Sequence, residues 1–146
     1  MKRTFEQEIN EKGHLVYNNV GVSMYPLIRQ YRDLLVIEKP KFPCKKYDIV
    51  LFKRGDKYIL HRIIEVGNKS YSISGDNCIS IEHNVKESQI IGVLKEIVRD
   101  GKKIPIDSKK YKISINLICK IFILRYFLLA ARRIKWKIKG KLTQKQ

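Results

Sequence analysis

The chain reads as a mainly β protein: a compact barrel- or sandwich-like domain with a short helix before it and a basic, apolar helix after it. Three observations carry that expectation. Short apolar stretches recur at close spacing between His14 and Ile106, separated by turn residues and with almost no helical periodicity between them. A helix-capping pattern opens the chain. From Ser108 onward the composition changes to long apolar runs interrupted only by basic residues.

Thr4 followed by Gln7 forms a capping box, Phe5 and Ile9 share a helical face, and Gly13 is a stop, so residues 4–12 read as a helix. Residues 14–22 read as a strand leading into the segment around Ser23, and residues 33–38 (DLLVIE) as a strand stopped at Pro40. A basic loop with two prolines occupies 40–47. Residues 48–53 and 57–66 flank Arg54-Gly55-Asp56 as a hairpin. Residues 70–74 (SYSIS) form a further strand ending at Gly75-Asp76-Asn77. After a loop, 89–98 and 103–106 pair across Arg99-Asp100-Gly101-Lys102. The expected organisation is a helix over 1–12, a β-domain over 13–107, and a helical basic tail over 108–146.

At 146 residues and 44% apolar composition, the chain is long enough for one core without disulfides or metal. Thirty-one basic against fourteen acidic residues give +17, which favours an anionic partner. Twelve of the basic residues, and no acidic one, lie in 108–146, so the excess belongs mostly to the tail. Cys44, Cys78 and Cys119 have neither metal spacing nor an even count, which argues against a zinc site or a disulfide framework. No cofactor is indicated, and no apolar run behind the first basic residues suggests a secretory signal.

The stretch Val20-Gly21-Val22-Ser23-Met24-Tyr25-Pro26 places one hydroxyl among apolar residues. Glycine permits close backbone approach, and proline stiffens the exit and cannot donate to a sheet. A serine needs an adjacent base to become a nucleophile. His61 stands out as that base, because strand alternation puts it on one face with Ile59 and Ile63. A satisfied core histidine is the competing reading of that strand. Asp76, in the turn after the next strand, is a candidate to orient the imidazole, or a turn aspartate bonding its own backbone. His14 and His83 read as surface residues.

Gly21-x-Ser23-Met24-x-Pro26, Tyr47-Asp48-Ile49-Val50, Leu60-His61-Arg62-Ile63 and Gly75-Asp76-Asn77, in that order, resemble the boxes of the signal-peptidase and LexA-type serine peptidase superfamily. The base position carries His61 rather than lysine, which resembles the endoplasmic-reticulum and archaeal branch. The resemblance implies Ser23 as nucleophile, His61 as general base and Asp76 as orienting carboxylate, with Glu82 a secondary candidate for that third role. It also implies a cleft for an extended peptide around Gly21, Val22, Met24 and Pro26. Signal peptidases often carry a serine at the position of Gly21, so the second oxyanion donor is left open. The expected function is an endopeptidase acting on a precursor or leader peptide; the alternative is a weak or inactive peptide- or membrane-binding module of the same fold. Self-cleavage has no clear Ala-Gly pair to support it.

The tail admits three readings: a spanning helix, an interfacial helix and a helix packed on the β-domain. Ile113 to Ala131 nearly reaches membrane-spanning length, but Lys120 and Arg125 fall inside it. An anionic membrane surface bound through 113–141 is the first expectation, with Trp136 at the headgroups. That places the protein in the cytoplasm or peripherally on a membrane. No recognition element points to specific nucleic acid.

Overall fold

A computed structural model describes residues 3–106; the expected C-terminal helix and the membrane readings attached to 113–141 lie outside the described residues. The described part is mainly β, with 49% strand and 11% helix. Helix α1 (Phe5–Lys12) starts at Thr4, whose side chain accepts from the Gln7 N–H while Gln7 reaches back to the Thr4 N–H. It ends at Gly13, where φ is 78°, a left-handed cap that glycine adopts without a Cβ penalty.

Eight antiparallel strands follow: β1 (His14–Asn18), β2 (Asp33–Glu38), β3 (Ile49–Arg54), β4 (Lys57–Val66), β5 (Ser70–Ser74), β6 (Glu82–Lys86), β7 (Ile90–Arg99) and β8 (Lys102–Pro105). They pair in the order β1-β2-β7-β3-β4-β5-β6, and β8 pairs with β7. The pairing path is therefore continuous, with β1 and β6 as its ends. Register shifts between Val36 and Ile37, Leu51 and Phe52, Ile63 and Glu65, and Tyr71 and Ile73 interrupt the ladders. Such bulges bend a sheet and increase its twist.

Strand β3 lies where both faces are covered. Val50 and Phe52 point into a core with Ile63, Tyr71, Ile73 and Val93, while the alternating Ile49 and Leu51 are equally buried. Helix α1 packs close to β7 at Gly92. A Cβ there would stand 2.4 Å from Ile37 Cγ2 and 3.2 Å from Ile9 Cδ1, so only glycine fits.

Two expectations need correction. Strand β1 ends at Asn18 rather than Val22, because the buried Asn19 turns the chain, its Nδ2 donating to Gly21 O at 3.0 Å. Strand β6 was expected as loop. In EHNVK only Val85 is buried and Asn84 adopts φ 59°, so the apolar alternation that marks a strand is missing.

Candidate functional site

Residues 19–32 connect β1 to β2 and carry Ser23. Two buried side chains, Met24 and Ile28, anchor this connection from below. An ionic clamp holds its end. Asp33, fully buried, accepts from Arg99 Nε at 2.7 Å and from the Arg29 N–H at 2.8 Å, and Arg99 Nη2 also donates to Leu27 O at 2.7 Å. Burial opposes ionisation of Asp33, but the Arg99 guanidinium and the Arg29 N–H together hold its carboxyl below the ordinary range. Gly21 sits at φ 125°, in the region that disfavours side chains. Serine there would be strained, so the glycine is a backbone requirement of this turn.

Above these anchors, the Ser23 segment docks on the turn that ends β5. The Asn77 N–H donates to Ser23 O at 2.7 Å, and Asn77 Nδ2 donates to Val22 O at 3.1 Å. Gly75 makes the approach possible. A Cβ on it would lie 2.7 Å from Ser23 O, 3.0 Å from His61 Nε2 and 2.7 Å from Cys78 Sγ. The nucleophile candidate's backbone, the imidazole and a thiol thus converge on one point, and only the absence of a side chain keeps it open.

His61 reaches that point from β4. It faces the same side as Ile59 and Ile63, as strand alternation predicts, with its ring centroid 6.1 Å from that of Phe52. Desolvation by this packing lowers its pKa below the ordinary histidine value; Glu82 opposes the shift, Arg54 adds to it, and Asp76 opposes it more weakly than Glu82 does. The ring is therefore neutral at pH 7. Its Nδ1 is buried and makes no hydrogen bond among the described residues.

The expected partner of Nδ1 is engaged elsewhere. Both carboxylate oxygens of Asp76 accept from Arg62, from Nε at 2.8 Å and from Nη2 at 2.7 Å, and both side chains are almost fully buried. Arg62 Nη1 also donates to Tyr47 O at 3.0 Å. Asp76, expected to orient His61, directs both oxygens to Arg62 here, the counter-charge that a buried guanidinium requires. Glu82 lies at the start of β6, opposite Ile73, and pairs with Arg54 at 3.1 Å.

The expected cleft residues divide by exposure. Val22 and Tyr25 are exposed beside Ser23 and Pro26 is open to solvent, whereas Met24 is buried and acts as an anchor rather than a cleft wall. Across the Gly75-Asp76-Asn77 turn, Ile79 and Ile81 are exposed on a loop that Ser74 Oγ ties down by donating to Ser80 O at 2.9 Å. Exposed apolar side chains therefore stand on both chain segments that meet at Gly75. Sequence reading missed Arg62 and Cys78. An arginine inside the apolar run ILHRII was the available signal for the first; nothing in the sequence marked the second.

Among the described residues no cluster of His, Cys, Asp and Glu could hold a metal ion, and no helix is long and apolar enough to cross a membrane. His14 and His83 are exposed, as expected. Comparison with family models, curated proteins and solved structures gave no match to this chain.

Proposed function

We propose that the chain is a serine endopeptidase of the signal-peptidase and LexA-type kind, cleaving an extended segment of a precursor or leader peptide. The observation that carries this reading is the convergence at Gly75, where the Ser23 carbonyl oxygen and Nε2 of a desolvated His61 both lie within 3.0 Å of the point a Cβ would occupy.

In the proposed reaction His61 Nε2 takes the Ser23 proton as Oγ attacks the scissile carbonyl carbon. The Ser23 N–H, which donates to no acceptor among the described residues, receives the developing oxyanion. The C–N bond then breaks as His61 returns the proton to the leaving amine, and water, deprotonated by the same ring, hydrolyses the acyl-enzyme. This assigns the remaining proton to Nδ1. Glu82 and Asp76 both favour the imidazolium that forms in this step, Glu82 more strongly, so Glu82 stands beside Asp76 as a candidate third member, and Asp76 with Arg62 fixes the turn that supports the site. The substrate lies extended between Val22 and Tyr25 on one side and Ile79 and Ile81 on the other.

One observation favours a second reading, a peptide-binding module without turnover: neither ring nitrogen of His61 nor the Ser23 hydroxyl makes a hydrogen bond among the described residues. Processing of a precursor peptide library by the full chain separates the two. Cleavage that is lost in both Ser23→Ala and His61→Ala supports the peptidase; cleavage at the parental rate in either variant refutes it.

A further inference from the structure

The connection between β2 and β3 carries a feature that the proposed reaction does not use. Residues 39–47 (KPKFPCKKY) contain four lysines and no acidic residue. Lys39, Lys41, Lys45 and Lys46 are all exposed, and none makes an ion pair with a carboxylate among the described residues. Between them Phe42 stands 45% exposed, an apolar ring among the lysines.

The stem of this loop is held firmly. Cys44 is buried, and its N–H donates to Tyr71 Oη at 2.9 Å. The Lys45 N–H donates to Asp48 Oδ2 at 2.8 Å, and the Tyr47 N–H to Ile63 O at 2.8 Å. The backbone at 44–47 is thus fixed, which lowers the cost of ordering the loop at binding.

We propose that this loop docks the domain on an anionic lipid surface, with Phe42 entering the headgroup–acyl boundary and the four lysines facing the lipid phosphates and carboxylates. Charge complementarity carries the choice of partner: four uncompensated ammonium groups flank a single apolar side chain. Lysine stems are apolar and let the charged ends remain at the headgroups while the ring sinks. The composition disfavours nucleic acid. The loop has no arginine to fork onto phosphates or base edges, and of its two aromatic rings, Phe42 and Tyr47, the second is covered by Lys46 at 5.3 Å. The end of the loop joins the candidate site mechanically, since Tyr47 O accepts from Arg62, which holds Asp76 next to Gly75.

The test reads Phe42 itself, so that any binding through residues 113–141 does not interfere. In the full chain, Trp136→Phe with Phe42→Trp leaves one tryptophan, at the loop tip. Vesicles of phosphatidylcholine containing phosphatidylserine should shift its emission to the blue, and brominated acyl chains should quench it; phosphatidylcholine alone should do neither. In the parental background, Lys41→Glu, Lys45→Glu and Lys46→Glu together should weaken vesicle binding by at least about fivefold per lysine, since each basic group near such a surface contributes about 1 kcal/mol. These side chains are exposed and make no ion pair among the described residues, so the variant folds. Unshifted emission on vesicles to which the protein is bound overturns the proposal. So does a larger shift with a single-stranded oligonucleotide than with the anionic vesicles, or parental vesicle affinity in the lysine variant. None of these readouts depends on turnover, so they stand or fall apart from the peptidase reading.

Discussion

Replacing Gly75 with alanine isolates the geometry on which the candidate site rests. The added Cβ would meet Ser23 O at 2.7 Å, Cys78 Sγ at 2.7 Å and His61 Nε2 at 3.0 Å. Ordinary carbon contacts need roughly 3.5 Å, so each neighbour must retreat by several tenths of an ångström. Cys78 can rotate, but Ser23 O is backbone, fixed by the Asn77 N–H at 2.7 Å, and cannot move without lifting the whole turn. Overpacking of this kind costs about 1–3 kcal/mol, and misplacing a reacting group by about 1 Å costs on the order of 10²-fold in rate. Gly75→Ala should therefore melt a few degrees below the parent yet lose about 100-fold in Ser23 acylation. Gly92→Ala is the matched control. Its Cβ would stand 2.4 Å from Ile37 Cγ2, a worse clash inside the core, with no contact to the site. It should melt at least as low and keep the parental acylation rate at temperatures where it is folded. Thermal melts beside stopped-time labelling with a fluorophosphonate read both quantities. Parental labelling in Gly75→Ala refutes the claim that Ser23 and His61 act across this glycine.

Further outcomes follow from the same contacts. Asp76→Asn removes the charge that accepts from Arg62 Nε and Nη2 in a buried pair, so a chemical-denaturation series should show a loss of about 3–5 kcal/mol; near-parental stability would contradict the structural role given to Asp76. Because burial lowers the His61 pKa, a rate that needs the neutral ring should hold to below about pH 6.5 before its acid limb begins. Glu82 raises that pKa, so Glu82→Gln should move the limb to still lower pH while reducing the rate, and a limb displaced upward or unmoved would remove Glu82 from the site. The same burial affects stability: above its unfolded value the ring is neutral in both states, and stability is lost as pH falls through the folded pKa, where the unfolded chain binds the proton first. Alkylation of Cys78 with N-ethylmaleimide should slow acylation at least tenfold, and Cys78→Ser should abolish that sensitivity. Cys44 does not compete, since its thiol is buried and pushed up to about 11, chiefly by desolvation. An alkylated protein that labels at the parental rate would place the thiol outside the reacting volume.

Much of this arrangement was legible where local patterns carry the information. The Thr4–Gln7 capping box, Gly13, and the strands β2, β4 and β5 were all read with the bounds the structure has, or within one residue of them. The face of His61 followed from its spacing to Ile59 and Ile63. What could not be read depends on partners distant in the chain. Asp76 beside a glycine looked free to bond an imidazole, and only the fold reveals that Arg62, fourteen residues earlier, takes both of its oxygens. Asp33 and Arg99, 66 residues apart, gave no sign of the clamp that fixes the Ser23 connection. Strand β6 was hidden because its pairing to β5, rather than any apolar alternation, defines it. Gly75 was recognised as part of a turn, but its closeness to Ser23 exists only in three dimensions.

Activation of Ser23 by His61 is tested most directly by mass-spectrometric mapping of the fluorophosphonate adduct on the full chain. A single phosphonyl group on Ser23, formed with the rate governed by His61 and absent after His61→Ala in a protein that still melts cooperatively, is the expected result. An unlabelled Ser23 in the parental chain, or equal labelling without the imidazole, would contradict it.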